Sequence, residues 1–296
     1  MILVLGAGFL GRAIREQLLQ EGKQVRIFSR EPTNDIPGLI AGNIFDLAKH
    51  EDLFRDVDTV IHTIHTTVPA SAHHNEYYDL ESNLLPFVKF LELAVKKKVP
   101  RVIYISTGGA IYGQMNGSGA FTERSPANPV SAYGISKLAI EKQLLLHKND
   151  FRNGIIILRP SNIYGKKQRT DRPQGVVGHL LQAAYNNTPF ELWGDGHTKK
   201  DYLYLDDFKD AIRRIIAYEK KPPEPVFNIA SSHLYSVNEI RAEIERQTGK
   251  KINVHRVPEK EFDVSGFALD ASLFSKTFGW KAAFDLQQGI ADILAG

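Results

Sequence analysis

Tyr133 and Lys137 are four residues apart in the segment 133–137. At this spacing a phenol and an ammonium group share one face of a helix. Free tyrosine has a pKa of about 10 and is a poor base at neutral pH. A neighbouring ammonium and an oxidised nicotinamide ring both stabilise the phenolate, so both would lower the pKa of this tyrosine toward the working range. The pair predicts catalysis of oxidation or reduction at a hydroxyl/ketone pair, and Lys137 can also hold the nicotinamide ribose.

A glycine-rich turn follows the first apolar run, Ile2–Leu5, and opens an amphipathic stretch. In this G-x-G-x-x-G pattern, Gly6 permits the tight turn, Gly8 lets a pyrophosphate approach the backbone, and Gly11 allows close packing of helix on strand. The phosphates would lie on free N–H groups at the positive end of the helix. The predicted dinucleotide contacts in this turn are Gly6, Gly8, Phe9, Leu10 and Gly11.

The end of the second predicted strand bears on the choice between NAD and NADP. This position usually carries an aspartate that holds the adenosine ribose, but here the strand ends in Ser29 and Arg30. A carboxylate would repel a 2′-phosphate, whereas a hydroxyl and a guanidinium would bind one. The pattern favours NADP over NAD, with a solvated surface position for Arg30 as the alternative. Asn43 and Ile44 are expected beside the adenine, and Thr63 is a further predicted cofactor contact.

Short apolar runs alternate with amphipathic stretches through the first half of the chain, which is typical of repeated βαβ units. The predicted strands are Ile2–Leu5, Gln24–Phe28, Thr59–Thr63, Arg101–Ser106 and Ile155–Leu158. The predicted helices are Leu10–Glu21, Pro86–Lys97, Ala132–Leu146, Ser236–Thr248 and Leu286–Leu294. We therefore expect an α/β protein, with a Rossmann doubly wound parallel sheet and a smaller C-terminal substrate-binding domain.

The pattern changes after Gly165, where a polar, loop-like segment begins, and a proline-rich linker follows at 220–225. These features predict an NAD(P)-binding Rossmann domain at 1–165 and a substrate-binding domain at 166–296. Part of 202–230 is expected to return to the first domain.

Composition excludes several classes of protein. The 296 residues are 43% hydrophobic, which can supply a full core, and 37 basic against 34 acidic residues give a net charge of +3. This balance does not suggest nucleic-acid binding. Without cysteine there is no disulfide framework, thiolate nucleophile or zinc–cysteine site. No apolar run approaches the roughly 20 residues of a membrane span, so we expect no membrane association and a cytoplasmic protein.

Two helical stretches, Leu84–Val95 and Leu138–Leu146, look too apolar to be covered on one face only. They predict a helix-to-helix subunit contact, with ordinary packing on the sheet as the alternative. Leu91 and Leu145 are the positions expected to point outward in a homodimer.

Taken together, the motifs resemble those of the extended short-chain dehydrogenase/reductase family, in its sugar-nucleotide epimerase/dehydratase branch, over nearly the whole chain. The motifs that carry the resemblance are residues 6–11, Ser106-Thr107-Gly108-Gly109-Ala110-Ile111-Tyr112-Gly113, Tyr133 with Lys137, Leu158-Arg159-Pro160-Ser161-Asn162-Ile163-Tyr164-Gly165, and Trp193-Gly194-Asp195-Gly196 with Asp201-Tyr202 and Asp206-Asp207.

The resemblance implies a Ser or Thr hydroxyl that binds the substrate oxygen beside the tyrosine. Its usual position falls on Gly108, so Thr107 is the candidate for this catalytic and substrate-binding role, with Ser106 behind it. Dehydratases of the branch carry an Asp-Glu pair where this chain has Gly109 and Ala110, so dehydration is not expected.

The resemblance also implies contacts with a nucleotide-sugar substrate. Asn162 matches the asparagine that contacts the diphosphate, and Pro160 belongs to the segment beside the nicotinamide. Lys200 stands where an arginine usually clamps the diphosphate, and it supplies charge without a bidentate fork. A second arginine, common near Phe262–Gly266, is missing, which leaves room for a substrate other than a standard UDP-sugar.

These observations lead to three functional hypotheses. The first is an NAD(P)-dependent C4 epimerase that acts on a nucleotide sugar through a transient 4-keto intermediate. The second is an NADPH-dependent reductase of a 4-keto sugar nucleotide, and the third is a redox-sensing NADP(H)-binding protein without turnover. His62, His65, His73 and His74 also invite a metal site, but a strand end and a loop without acidic partners do not predict one.

Overall fold

The computed structural model describes residues 1–30, 32, 35–115, 119–168, 170, 174–258, 264 and 266–296. A seven-stranded sheet lies at its centre, with every neighbouring pair of strands parallel. Its strands are β1 (Ile2–Leu5), β2 (Val25–Ser29), β3 (Leu39–Ala41), β4 (Thr59–His62), β5 (Arg101–Ile105), β6 (Ile155–Pro160) and β10 (Val226–Ile229). They lie in the order β10-β6-β5-β4-β1-β2-β3. The strand order reverses between β1 and β4, which places a ligand crevice at their carboxyl ends.

Ten α-helices lie in the described part of the chain. They are α1 (Phe9–Gln20), α2 (Pro69–His74), α3 (Glu76–Asp79), α4 (Leu85–Lys96), α5 (Ala132–Leu146), α6 (Val176–Asn186), α7 (Leu205–Ala217), α8 (Val237–Thr248), α9 (Ser272–Phe278) and α10 (Leu286–Ala295). A 3₁₀ segment covers Ile44–Phe54, and a π-helical turn, Leu80–Leu84, joins α3 to α4. None of the helices that the structure describes is long and apolar enough to cross a membrane.

The doubly wound parallel sheet confirms the predicted fold class. The predicted strands and helices are present, and β1 and α5 have the predicted bounds; the others differ by one residue at one or both ends, and by two residues at the end of β6. Periodicity gave no signal for the short edge strand β3 or for α6.

The C-terminal part contributes to two smaller sheets and to the large one. β7 (Asn162–Tyr164), β9 (Lys199–Tyr204) and β11 (Leu234–Ser236) form one small sheet, and β8 (Phe190–Trp193) pairs with β12 (Val254–Val257). A separate cluster of buried side chains, including Leu180, Tyr204 and Ile240, lies under these elements. β10 is an edge strand of the large sheet beside β6. The division into two domains near residue 165 stays a prediction.

Leu91 was expected to point outward from α4, and this is wrong. It is 1% exposed and packs in the core cluster between α4 and the sheet, together with Phe87 and Phe90. Leu145 is half-buried against the same cluster. The exposed large apolar positions on these helices are instead Leu85 on α4, at 54%, and Ile135 and Leu146 on α5, at 53% and 76%. The width of the apolar face of α4 predicted that much of the helix is buried. It did not predict which side of the helix packs against the sheet.

His62 ends β4 inside an aromatic cluster. Its ring centroid lies 5.0 Å from that of Phe87, 5.1 Å from that of Phe90 and 5.9 Å from that of Tyr104. Neither ring nitrogen has a hydrogen-bond partner among the described residues. Burial, with a smaller contribution from the charge of Lys137, lowers the pKa of His62 to about 3.

We expect His62 to make the protein sensitive to acid. The unfolded chain takes up a proton near the ordinary histidine pKa of about 6.5, whereas folded His62 stays neutral down to about pH 3. The unfolded state therefore binds more protons in this window, and stability falls as the pH falls through it. The free energy of unfolding, measured by urea denaturation, should fall less for His62→Leu than for the wild type as the pH falls from about 7 to about 5. The difference between the two proteins should grow by up to about 1.4 kcal/mol per pH unit. Exposed His255→Gln serves as the control, and equal pH dependence in wild type and His62→Leu would contradict this explanation.

Candidate active site and dinucleotide cleft

A large cleft of about 1720 Å³ lies at the carboxyl ends of β1, β2, β4, β5 and β6. All but one of the predicted site residues line it: Gly6, Gly8, Phe9, Leu10, Gly11, Ser29, Arg30, Asn43, Ile44, Thr63, Ser106, Thr107, Tyr133, Lys137, Pro160, Asn162 and Lys200. The exception is Gly108. Residues more than 190 positions apart in the chain thus meet around one space, as expected for a crevice at the switch point of a doubly wound sheet.

The glycine turn is fixed by steric contacts that no side chain could tolerate. Gly6 has φ +110°, and a Cβ there would lie 2.5 Å from the Thr63 hydroxyl oxygen. That hydroxyl donates to the Leu5 carbonyl oxygen at 2.9 Å. A Cβ on Gly11 would overlap the Gly6 carbonyl oxygen, so the helix can approach the strand only because residue 11 is glycine. Thr63 thus packs against the glycine turn and helps to fix it.

Gly8 differs from both neighbours because a Cβ there would meet no protein atom within 4 Å. It is the N-cap of α1, whose first turn carries no acidic side chain and receives no side-chain cap. The positive end of the helix therefore faces the cleft without neutralisation. No side chain covers the backbone at Gly8, so a pyrophosphate can approach the N–H groups at this helix N-terminus. These residues therefore fit a dinucleotide.

The residues predicted to contact the adenosine, Ser29, Arg30, Asn43 and Ile44, line the cleft. Asn43 accepts the Phe45 N–H through its side-chain oxygen at 3.0 Å, so its amide nitrogen is the group that can donate to a base. Arg12 also lines the cleft, and its Nε donates to the Ala7 carbonyl oxygen at 2.8 Å. Sequence reasoning missed this arginine, although it directly follows the third glycine of the turn.

α5 presents the tyrosine and the lysine from its first turns. Ser131 caps the helix by accepting the Gly134 N–H at 3.2 Å, and a Cβ on Gly134 would overlap the Ala110 carbonyl oxygen. The Lys137 ammonium donates to the Ile105 carbonyl oxygen at 2.9 Å and lies 5.8 Å from the centre of the Tyr133 ring. The predicted pair therefore shares one wall of the cleft.

Burial sets the protonation states of this pair. It raises the pKa of Tyr133 well above its ordinary value, and the negative charge of Asp79 adds to that. Burial lowers the pKa of Lys137 to about 7, against the opposing effects of Glu141 and Asp79. The lowering of the tyrosine pKa expected from Lys137 is thus not found in the protein alone, because burial and the charge of Asp79 raise this pKa instead. The remaining expected source of lowering is the charge of an oxidised nicotinamide.

The three residues considered for the substrate hydroxyl lie in different places. Thr107 is half-buried on the cleft wall, and no described residue hydrogen-bonds to its hydroxyl. Ser106 donates its hydroxyl proton to Glu141 at 2.5 Å and is thereby occupied. Gly108 donates its N–H to the Pro160 carbonyl oxygen at 2.7 Å, and a Cβ on it would overlap the Leu269 side chain. Of the three, Thr107 is placed to meet a ligand.

Two residues predicted to contact the substrate, Asn162 on β7 and Lys200 on β9, also line the cleft. The next residue, Asp201, is fully buried and accepts the backbone N–H groups of Ser231 at 3.0 Å and Ser232 at 2.8 Å. This anchor fixes β9 and hence the base of Lys200. Of the segment 262–266, only Val264 and Gly266 are among the described residues.

Sequence reasoning also missed a buried polar cluster between β4 and α4. Thr66 donates its N–H to Asn83 at 2.7 Å, and Thr67 donates its hydroxyl to Asp79. His65 lies beside them, and Thr66 and Thr67 line the cleft together with it. The signal was available as a run of polar residues after an apolar strand. Within the described ranges, no group of three or more His, Cys, Asp or Glu side chains could hold a metal ion.

The sheet, the bare glycine turn at its switch point and the tyrosine–lysine pair on the same cleft define the class of nicotinamide-dependent enzymes built on a Rossmann fold. The model of the NAD dependent epimerase/dehydratase family matches residues 2–230. The chain belongs to this family, within the extended short-chain dehydrogenases/reductases.

Individual relatives resemble the chain over its whole length. A putative UDP-glucose 4-epimerase from Methanocaldococcus jannaschii is 29% identical and covers 99% of this chain and 97% of its own. A dTDP-4-dehydro-6-deoxyglucose reductase from Escherichia coli is 27% identical, over 99% of this chain and 96% of its own. The structure of a UDP-glucose 4-epimerase from Thermus thermophilus in complex with NAD superposes with a TM-score of 0.90, at 26% identity, over 100% of this chain and 99% of that one.

We expect Gly8→Ala to separate cofactor binding from folding. Its methyl group meets no protein atom, so the melting temperature should stay unchanged. The same methyl group would stand where a pyrophosphate approaches the backbone, so dinucleotide affinity should fall about tenfold or more, or about 1.4 kcal/mol, in a fluorescence titration with NADH and NADPH. Gly119→Ala is the matched control, since a Cβ there also meets nothing within 4 Å. Unchanged affinity in Gly8→Ala would show that the turn does not bind the phosphates.

Proposed function

We propose that the protein is an NAD(P)-dependent C4 epimerase that acts on a nucleotide sugar through a transient 4-keto intermediate. The observation that carries this proposal is the shared cleft: Tyr133 and Lys137 face the same space as Gly8 at one end and Asn162 and Lys200 at the other. The similarity to UDP-glucose 4-epimerases over the full chain supports it.

In this mechanism Tyr133 takes the proton of the C4 hydroxyl and returns one to the ketone oxygen. Lys137 holds the nicotinamide ribose and, as an ammonium, favours the phenolate that results from Tyr133 deprotonation. Gly8 would hold the pyrophosphate on a turn that Gly6 and Gly11 make possible, and a bound nicotinamide would supply hydride acceptor and hydride donor chemistry. Thr107 can hydrogen-bond the reacting oxygen, and Lys200 balances the diphosphate charge.

Gly109 and Ala110, where dehydratases of the branch carry an Asp-Glu pair, supply no acid–base pair for water loss. A Cβ on Gly109 would lie 3.0 Å from the Phe267 ring, so a carboxylate side chain does not fit at this position without displacement of that ring. This supports epimerisation or reduction over dehydration.

A second candidate is a net reductase of 4-keto sugar nucleotides that uses exchangeable NADPH. Ser29 and Arg30 favour it, because both line the adenosine end of the cleft where a 2′-phosphate would lie. The similarity to a dTDP-4-dehydro-6-deoxyglucose reductase agrees with it. An epimerase reuses the cofactor it holds, whereas a reductase must exchange it.

Identification of the cofactor separates the two candidates. The purified protein is heated, the released dinucleotide is identified by mass spectrometry, and UDP-glucose turnover is measured without added cofactor. Co-purified dinucleotide with formation of UDP-galactose supports the epimerase. Protein that takes up NADPH, oxidises it in the presence of a 4-keto sugar nucleotide and forms no UDP-galactose contradicts the epimerase and supports the reductase.

We expect Tyr133→Phe to abolish turnover with little effect on cofactor affinity. The phenol transfers the proton, while the ring that packs edge-on against His65 is retained. Turnover should fall by about 10²-fold or more, the scale of a lost general acid–base, in a coupled assay for the epimerised sugar. Tyr185→Phe, at an exposed tyrosine, is the control. Wild-type turnover in Tyr133→Phe would refute the mechanism.

We further propose that the protein is a homodimer that pairs through α4 and α5. Leu85 on α4 and Ile135 on α5 are more than half exposed, and half-buried Val88 and Leu138 lie one turn from them. These four residues form an apolar surface on the two helices, and apolar surface of this kind favours burial against a second copy.

Leu85→Lys should convert the dimer to a monomer, because it places a charge in an apolar contact at a cost of several kcal/mol. Light scattering at micromolar concentration measures the mass. Leu19→Lys, on α1 at the opposite side of the sheet, is the matched control and should stay dimeric. A monomeric wild type would refute the proposal.

A further inference from the structure

His65 is a buried histidine on the wall of the cleft beside the tyrosine. Its side chain is 6% exposed, and it lies in the segment between β4 and α2. Its ring meets the Tyr133 ring edge-on, with 4.8 Å between centroids and an interplanar angle of 86°. Both residues line the cleft. His65 therefore lies next to the group to which the proton transfer has been assigned.

Both ring nitrogens of His65 lack a hydrogen-bond partner among the described residues. Most buried polar side-chain atoms in folded proteins have one, and leaving such an atom unpaired costs about 1–3 kcal/mol. His62 also lacks partners, but it is enclosed by aromatic rings and does not line the cleft. Of these two histidines with unpaired ring nitrogens, His65 is thus the one that lines the cleft.

Asp79 gives the His65 ring a preferred tautomer. This carboxylate is fully buried, and its Oδ1 accepts from the Thr67 hydroxyl and, at 3.2 Å, from the Asn83 amide. The same Oδ1 lies 3.7 Å from His65 Nε2, which is beyond hydrogen-bond length but close enough to favour a proton on the facing nitrogen. The other nitrogen, Nδ1, then has a free lone pair.

Burial, helped by nearby groups, keeps the His65 ring neutral. Burial, then the ammonium of Lys137 on α5 and the imidazole of His62 on β4, lower the pKa of His65 well below its ordinary value. With its proton on Nε2, toward Asp79, the neutral imidazole offers Nδ1 as an acceptor, to which a sugar hydroxyl can donate.

We propose that His65 hydrogen-bonds a hydroxyl of the substrate sugar next to the carbon on which Tyr133 acts, and so contributes to recognition of the sugar rather than of the nucleotide. This inference rests on the proposed function in one respect, that the ligand at Tyr133 is the sugar of a sugar nucleotide. It gives a role to a polar group that the proton transfer does not use.

The test compares His65→Phe with the wild type in binding UDP-glucose and UDP, both measured by calorimetry on the protein with its dinucleotide bound. Phenylalanine retains a ring against Tyr133 but removes both nitrogens. UDP-glucose affinity should fall about tenfold, and affinity for UDP, which has no sugar at this position, should stay unchanged. His65→Asn, which restores an amide, should recover part of the loss. Exposed His74→Phe is the matched control and should change neither affinity.

The outcomes distinguish this inference from its rivals. The inference is overturned if His65→Phe loses affinity equally for UDP-glucose and UDP, or loses none for either. It is also overturned if His65→Phe loses NADH affinity, or if the wild type binds UDP-glucose no better than UDP. Selective loss of UDP-glucose affinity supports it even if the wild type forms no UDP-galactose; that combination would refute the proposed epimerase and leave His65 as a sugar-binding residue. UDP bearing 3- or 6-deoxyglucose then identifies the hydroxyl, because the effect of His65→Phe should vanish for one of these two ligands.

Discussion

The docking of α5 against β5 and β6 is the constraint on which the site depends. The Lys137 ammonium donates to the Ile105 carbonyl oxygen, and Gly134 lets the helix approach Ala110. One turn further on, Glu141 accepts from the Arg159 guanidinium of β6 at 2.5 Å. These contacts hold a tyrosine and a lysine, both buried, at the carboxyl edge of the sheet, where desolvation displaces both pKa values. A helix shifted by one turn would lose the contacts and the chemistry together.

The same network reaches the returning strand. Arg159 donates to the Tyr112 hydroxyl at 3.0 Å, and that hydroxyl donates to Asn228 of β10 at 2.7 Å. Since Glu141 and Arg159 are both buried, loss of either partner would leave an uncompensated charge, at a cost of about 3–5 kcal/mol. The edge strand β10 is therefore linked to α5 through Arg159 and Tyr112, although almost a hundred residues separate Tyr133 from Asn228.

Patterns within single segments predicted the sheet, α5 and the glycine turn, because their causes are local: period, caps, and glycines at fixed offsets. Relations between segments were not predictable. The outward position of Leu91 was wrong because the width of an apolar face does not reveal which neighbour covers it. The Tyr133 pKa shifted opposite to the expected effect of Lys137, because the desolvation that decides it arises from the whole cleft wall. His65 lies in a loop and Asp79 lies on a helix, and no sequence pattern in either segment predicts that the two side chains approach each other.

In the proposed mechanism Tyr133 and Lys137 act at C4 of the sugar, and a dinucleotide held at Gly8 would supply both the hydride acceptor and the hydride donor. Incubation of the wild type with UDP-glucose deuterated at C4, followed by mass spectrometry and NMR of the product, tests it most directly. The mechanism predicts UDP-galactose that retains the deuterium at C4, because the label never leaves the bound cofactor for solvent. UDP-galactose that has exchanged the label for hydrogen, or the absence of any epimerised product, would contradict it.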